Sequence, residues 1–341
     1  MKLNDEVIIE NFGKPYFIAE FNTSHFGSLD VAKQMIDAAK NSGCDCVKFQ
    51  SWSMDTLYSD TYYRKNPVAK RFINKFSFSS EQLKLLADYA HALGISFSST
   101  PYSVLEVDFL IHQCKVPFIK IASMEINNFP YLDYIARTGS AILLSTGMAD
   151  QNEINRAVKC VLDAGNRNLC LLHCVSIYPA QHHEVNLNNL ITFRDQFDGI
   201  PVGYSDHTLG LEVPIAAVAH GAPIIEKHFT LDAKKIGMDN QMAMEPVDFK
   251  AMIKSCNIAW ECLGSFERTV SEAEFEQRIN MRRSIVSKRD IPIGARIQLD
   301  DIDFKRPGDG FSPEEVHSVV GMVASQNILR DEVIYSSMFK Q

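Results

Sequence analysis

One pattern limits the folds open to this chain: short β-rich runs alternate with helical stretches through most of its length. Runs at 16–21, 45–50, 95–100, 118–122, 141–145, 169–174, 202–206 and 224–228 predict eight strands. Stretches at 29–41, 80–93, 104–113, 131–137, 151–164, 187–196, 211–220 and 246–263 predict helices between and after them. Ser79-Ser80-Glu81-Gln82 opens one helix with a capping sequence, and Gly43, Gly94 and Gly165 fit helix ends. Successive strands joined by a helix pair in parallel, because only a crossover returns the chain to run the same way. Eight such units over about 250 residues fit a (β/α)8 TIM barrel. A doubly wound open sheet is the competitor, but no Gly-x-Gly-x-x-Gly turn follows the first strand, which weakens a dinucleotide-binding version. A run at 7–10 before the Asn11–Pro15 turn adds a short hairpin strand outside the repeat.

The rhythm stops near Gly264. We read 1–264 as the barrel, 265–280 as a polar, acidic linker and 281–341 as a small β-rich domain with runs at 284–287, 296–299, 303–305 and 333–334. So short a domain has little core of its own and is expected to pack on the barrel or on a second subunit. The net charge of −8 argues against nucleic-acid binding, and an anionic substrate would need a local cationic pocket. The charged N-terminus is no secretory signal and no run reaches membrane-spanning length, so a cytoplasmic location is expected. The eight cysteines include no Cys-x-x-Cys pair and read as small core residues in a reducing cytosol, with zinc binding as the alternative.

Chemistry gathers at the carboxyl ends of the predicted strands, the ends that form the active-site mouth of such a barrel. They carry Glu20 and Asn22, Lys48 and Gln50, Ser99 and Thr100, Lys120 and Ser123, Ser145 and Thr146, His173 and Ser176, Ser205 and His207, Glu226 and His228. Side chains alternate along a strand, so Ser205 shares a face with His207 and Glu226 with His228. If both pairs face inward, two imidazoles converge beside a carboxylate and a hydroxyl. That suits a divalent-metal or acid–base site; two separately hydrogen-bonded histidines are the plain alternative. Lys48 and Lys120 inside β-runs either serve function or pair with Glu20 or Glu226 to satisfy buried charge. The long connections 51–78 and 230–245 follow strands and would overhang the mouth; the first, with Tyr58, Tyr62, Tyr63, Arg64 and Lys65, reads equally as a solvated basic helix.

Several motifs then fall in a familiar order. They are Ile18-Ala19-Glu20 with His25 and Gly27, Val47-Lys48-Phe49-Gln50, Ser99-Thr100-Pro101, Lys120-Ile121-Ala122-Ser123-Met124-Glu125 and Leu144-Ser145-Thr146-Gly147-Met148. Leu172-His173-Cys174 with Tyr178-Pro179, Gly203-Tyr204-Ser205-Asp206-His207-Thr208 and Glu226-Lys227-His228-Phe229-Thr230-Leu231-Asp232 follow. Arg283-Ser284-Ile285-Val286 through Lys305-Arg306-Pro307-Gly308-Asp309-Gly310 resembles an antifreeze-like SAF domain of β-clip type. Taken together over nearly the whole chain, these resemble the sialic-acid (nonulosonic acid) synthase family. The resemblance implies a transferase that condenses phosphoenolpyruvate with an open-chain N-acylated hexosamine and releases phosphate by C–O cleavage. It implies a divalent cation on His207 and His228, manganese foremost, with magnesium or cobalt as alternatives. It assigns phosphoenolpyruvate contacts to Lys48, Thr100, Lys120, Ser123, Ser176 and Ser205, proton handling to Glu20 or Glu226, and the sugar to Tyr178, Asp239 and Arg306. Arg306 would come from the partner of a domain-swapped homodimer. Catalytic roles thus fall to Glu20, Glu226, His207 and His228.

The chain departs from the family pattern on the sugar side. Phe21-Asn22-Thr23-Ser24-His25 stands where Gly-Ile-Asn-His is usual after the first glutamate, Gly237-Met238-Asp239-Asn240 where Gly-Pro-Asp-His is usual, and Ser176-Ile177 where an asparagine precedes Tyr-Pro. This favours an acceptor such as a dideoxy, diacetamido hexose leading to legionaminic- or pseudaminic-type acids over N-acetylmannosamine. A metal-dependent pyruvate aldolase or lyase on the same barrel is the alternative activity, and a non-enzymatic glycan- or ice-binding protein a third.

Overall fold

The computed structural model describes residues 1–4 and 6–339. It divides into two compact units, Met1–Gly264 and the chain from Ser265 onward. The first holds eight strands: β1 (Tyr16–Glu20), β2 (Cys46–Ser51), β3 (Ser96–Pro101), β4 (Ile119–Ile121), β5 (Ile142–Ser145), β6 (Leu169–Cys174), β7 (Val202–Asp206) and β8 (Ile224–His228). Its helices are α1 (Leu29–Ser42), α2 (Met54–Leu57), α3 (Asp60–Lys65), α4 (Pro67–Phe76), α5 (Ser80–Ala92), α6 (Val104–His112), α7 (Phe129–Arg137), α8 (Gln151–Asp163), α9 (Asn188–Gln196), α10 (Glu212–Ala219) and α11 (Pro246–Leu263). Among the described residues, none is long and apolar enough to cross a membrane.

Local signals explain where these elements begin and end. The Ser79 hydroxyl accepts from Gln82 N and the Gln82 side chain returns to Ser79 N, closing the capping box that starts α5. Gly43 ends α1 at φ +94°, a left-handed conformation in which a Cβ would be strained.

The strand order is β3-β2-β1-β8-β7-β6-β5-β4, all pairs parallel, so the sheet wraps into a nearly closed (β/α)8 barrel. At the β3–β4 seam the Ser98 hydroxyl donates to the Phe118 carbonyl (3.0 Å). Outward residues such as Phe17, Val47, Phe97, Ile121, Leu144, Leu171 and Ile225 pack into one continuous core with the helices. Inward residues divide by depth. The lower half is apolar: Ile18, Cys46, Phe118, Leu143, Leu172 and Ile224, joined by Ile9 from the N-terminal segment. That segment pairs with itself, Lys2 bridging Ile8 antiparallel, and so stays outside the repeat. The upper half is polar, and it holds the site.

The connection 51–78 folds as α2, α3 and α4 rather than as one solvated helix. Trp52, Tyr63 and Ile73 form a small buried cluster of their own beneath it. All eight cysteines are free; Cys160 is half-buried, Cys262 exposed and the other six buried, as small core residues would be.

The second unit begins differently from expectation. The segment read as a linker carries α12 (Glu272–Met281), because Ser271 caps its start, Glu272 and Glu274 occupy the first turn and Arg278 the last. The antiparallel pair β9 (Ser284–Ser287) and β10 (Ile302–Lys305) follows. A compact core of Ile285, Ile291, Ile297, Ile302, Val319, Ile328 and Ile334 forms beneath it, with isolated bridges at Val286–Val333, Ile291–Ile328 and Arg296–Val323.

Candidate active site

The upper barrel interior encloses a cavity of about 360 Å³. Four ionisable side chains form its floor, each on the inward face of a different strand: Glu20 (2 % exposed), Lys48 (2 %), Lys120 (4 %) and Glu226 (5 %). Lys48 Nζ pairs with Glu20 Oε2 and stands 3.7 Å from Glu226 Oε2; Lys120 Nζ stands 3.8 Å from Glu226 Oε1. Ser205 Oγ donates to Glu226 Oε1 (2.9 Å), Lys48 Nζ to Thr100 Oγ1 (3.1 Å), and Gln50 Nε2 and Asn22 N to Glu20 Oε1 (3.0 and 2.9 Å). Burial works to raise the Glu226 pKa, but Lys120, Lys48 and the Ser205 hydroxyl outweigh it and hold the carboxyl below the usual range. Burial likewise opposes the charge on Lys48, yet Glu20 and Glu226 raise its pKa above the ordinary value. Lys120 is pushed down: burial and the neighbouring Lys48 together exceed what Glu226 returns.

The two histidines sit one layer higher on β7 and β8, their ring centroids 5.3 Å apart. His207 Nδ1 lies 2.7 Å from the Val175 carbonyl and His228 Nδ1 2.7 Å from Asp239 Oδ2. A carbonyl and a carboxylate only accept, so Nδ1 carries a proton in both rings, and in the neutral form of each ring Nε2 is the nitrogen with the lone pair. A partner that fixes a proton on one ring nitrogen also fixes the ring's orientation and leaves the other nitrogen to face the cavity. Asn22 Nδ2 also donates to Asp239 Oδ2. Burial opposes the Asp239 charge, but His228 and these hydrogen bonds hold its carboxyl below the ordinary value. Asn240 sits where a histidine is usual. It accepts from Thr230 Oγ1 (2.6 Å) and donates to the Asp232 and Lys235 carbonyls (2.7 and 2.8 Å), tying the loop that presents Asp239.

One wall is built from the β4, β5 and β6 loops. Ser123 Oγ accepts from Gly147 N (3.0 Å), and Cys174 Sγ lies 3.7 Å from both Ser123 Oγ and His207 Nδ1 and 3.9 Å from Ser176 Oγ. A Cβ on Gly147 would lie 2.2 Å from Ser176 Oγ and 2.8 Å from Ser123 Oγ, so any larger residue there would have to displace both hydroxyls. The Tyr178 ring packs on His207 at 4.2 Å between centroids.

The cavity therefore unites Glu20, Lys48, Thr100, Lys120, Ser123, Ser176, Tyr178, Ser205, His207, Glu226, His228 and Asp239. Arg306 belongs to the second unit, where it is exposed. Two side chains read at the mouth point away from it. Ser99 Oγ bonds Ser51 Oγ (2.6 Å), and His173 Nε2 bonds the Val185 carbonyl (2.6 Å) among Phe193 and Tyr204. Each is one residue off the inward alternation set by Thr100 and Cys174. Sequence reasoning missed Cys174, Trp52 and Tyr102 as cavity walls. The alternation pointed to Cys174, while Trp52 and Tyr102 lie just past strand ends, where the period no longer guides.

Comparison with known proteins bears on the chain as a whole. The NeuB family profile matches residues 35–268 and the SAF domain profile residues 282–340. A protein of Legionella pneumophila named N,N'-diacetyllegionaminic acid synthase is 40 % identical over 326 residues, covering 92 % of this chain and 91 % of its own. A Homo sapiens protein named N-acetylneuraminate-9-phosphate synthase is 32 % identical over 332 residues, covering 95 % and 92 %. A crystal structure of N-acetylneuraminic acid synthetase from Leptospira borgpetersenii superposes with a TM-score of 0.75 at 31 % identity, over 80 % of this chain and 93 % of that one. Two matching domain profiles in the same order and relatives aligned nearly end to end lead to one conclusion: the chain belongs to the NeuB family.

Proposed function

We propose that the chain is a nonulosonic acid synthase that joins phosphoenolpyruvate to an open-chain N-acylated hexosamine. The observation that carries this reading is the buried floor of two lysines and two glutamates in one cavity with two neighbouring imidazoles whose Nδ1 atoms are held by Val175 and Asp239. Phosphoenolpyruvate is multiply anionic and the chain as a whole is acidic, so recognition demands local cations, even where carboxylates stand beside them. Lys48 and Lys120 supply that charge, while Thr100, Ser123, Ser176 and Ser205 supply donors around it.

The chemistry balances as follows. Carbon 3 of phosphoenolpyruvate bonds to the aldehyde carbon, whose oxygen takes a proton and becomes a hydroxyl. Carbon 2 takes the oxygen of water, which gives up a proton. The C2–O bond to phosphate then breaks as the new C2 hydroxyl gives up its proton, which the leaving phosphate takes, and a keto acid and hydrogen phosphate leave. Glu226, held as a carboxylate by its lysines, is suited to accept the water's proton. Glu20, hydrogen-bonded to Gln50 and Asn22, would face the same reacting carbons from the neighbouring strand of the floor. Tyr178 and Asp239 line the outer cavity, where the sugar would lie.

A divalent ion fits the donor set. His207 and His228 would hold it through Nε2, with substrate and water completing the shell; among the described residues no group of three protein ligands gathers. Such an ion would polarise the aldehyde oxygen, and imidazole donors suit manganese, with magnesium and cobalt as alternatives.

Apolar side chains stand exposed around the mouth, including Met124, Met148, Ile177, Leu209 and Met238. This collar supports a homodimer in which the partner's second unit, bringing an Arg306, covers the site. Free thiols throughout support a reducing, cytoplasmic location. The 40 % identity to a legionaminic acid synthase supports an acceptor of the diacetamido type. The test is phosphate release from phosphoenolpyruvate across a panel of N-acyl hexosamines with and without Mn2+, products read by mass. Release that requires one such aldose supports the reading; none across the panel overturns it.

A further inference from the structure

The mechanism leaves the buried Lys227–Asp206 ion pair of the barrel unused. Lys227 and Asp206, each 1 % exposed, occupy the outward faces of β8 and β7, behind the barrel wall. They are register partners on the last rung that joins the two strands. Lys227 Nζ pairs with Asp206 Oδ2 and donates to the Thr208 carbonyl (2.7 Å). Asp206 Oδ1 accepts from Thr208 N (2.9 Å), Thr208 Oγ1 (2.8 Å) and Tyr204 OH (3.0 Å). The pair thus ties strand β7, strand β8 and the turn after His207 into one knot.

The next residue on each strand is His207 or His228. Asp206–Lys227 is the last register pair of β7 and β8, so it is the side-chain tie between them nearest the two imidazoles. Each ring has its own partner on the cavity side, Val175 or Asp239, but those partners sit on different loops and do not fix one ring against the other. Buried ion pairs seldom stabilise a fold better than apolar side chains of the same size, so their stability alone does not account for this one.

We infer that Asp206 and Lys227 are positioning residues that set the spacing of His207 and His228 from behind the barrel wall. The inference rests on the two-imidazole reading of the site. Its test is the Asp206→Asn/Lys227→Met double variant, which removes both charges together and leaves no unpaired ion. Mn2+ titration by calorimetry reads the spacing without turnover. The expected result is an Mn2+ affinity lowered by about 10–100-fold, the range for lost second-shell support, with kcat lowered and KM for phosphoenolpyruvate unchanged. Lys227→Arg, which keeps charge and donor, should recover part of the affinity. Leu110→Ala, a cavity under α6, should lower the thermal midpoint and leave Mn2+ affinity alone. Mn2+ affinity and kcat within twofold of wild type in the folded double variant overturn the inference. Should the double variant not fold, Thr208→Val removes one donor to Asp206 with the ion pair intact, and unchanged affinity there overturns it equally. A wild type that binds no Mn2+ overturns the metal reading instead. The inference is then read from the imidazole resonances of histidine-labelled protein, which shift in the variant if the pair positions the rings and stay put if it does not.

Discussion

His25 offers a stability prediction that follows directly from its surroundings. The ring is buried, stacked on Phe78 at 4.2 Å between centroids, and its Nδ1 accepts from Gly27 N at 3.0 Å. An accepting Nδ1 requires the neutral ring. Burial lowers its pKa from 6.5 to about 4, against smaller opposing contributions from the Asn22 backbone and Asp239. A lowered folded pKa means that the unfolded chain binds the proton more readily. The stability this contributes is fully present above 6.5 and lost as pH falls towards 4. With these two values the loss at pH 5 is RT ln[(1 + 10^1.5)/(1 + 10^−1)], about 2 kcal/mol, approaching about 3.4 kcal/mol well below pH 4. His25→Gln keeps an acceptor for Gly27 N and cannot titrate. Urea unfolding followed by tryptophan fluorescence reports on the barrel, because both tryptophans, Trp52 and Trp260, lie in the first unit. Groups other than His25 cancel in the difference between wild type and variant. Wild type should lose about 2 kcal/mol more than the variant between pH 7.5 and pH 5. Parallel pH profiles for the two proteins would refute the reasoning.

Other outcomes follow from the site. Gly147→Ala drives a Cβ against Ser176 and Ser123; steady-state kinetics should show KM for phosphoenolpyruvate raised more than about tenfold, partly restored by adding Ser176→Gly. Lys48→Met leaves Glu20 without its buried cation and should cost about 3–5 kcal/mol in urea unfolding together with turnover; a stable, active variant would contradict the floor's role. His228→Ala should abolish Mn2+ binding in calorimetry as well as activity. A chain ending at Gly264 should be monomeric by light scattering and inactive, and a fully active monomer would refute the shared site.

The barrel was legible because its strands are short β-rich runs bounded by turns and its helices announce their caps. The Ser79 box and Gly43 stand where their residue types require. The inward set was legible only where strand alternation could be phased: Glu226 with His228, and Ser205 with His207. Phasing failed at Ser99 and His173, one residue out of step, because several polar residues at a strand end can each claim the mouth until the register is known. Trp52 and Tyr102 were illegible because side chains beyond a strand's last rung obey loop geometry. The helix α12 was hidden by its composition: with no buried residue, it shows no apolar period, only a cap and a favourable charge order.

The most direct test of the account uses phosphoenolpyruvate labelled with 18O at the oxygen bridging carbon 2 and phosphorus, turned over with the accepted N-acyl hexosamine. Condensation on the lysine–glutamate floor with C–O cleavage places the label in the released phosphate. Label retained in the organic product would mean that the phosphorus–oxygen bond breaks, and would contradict the account.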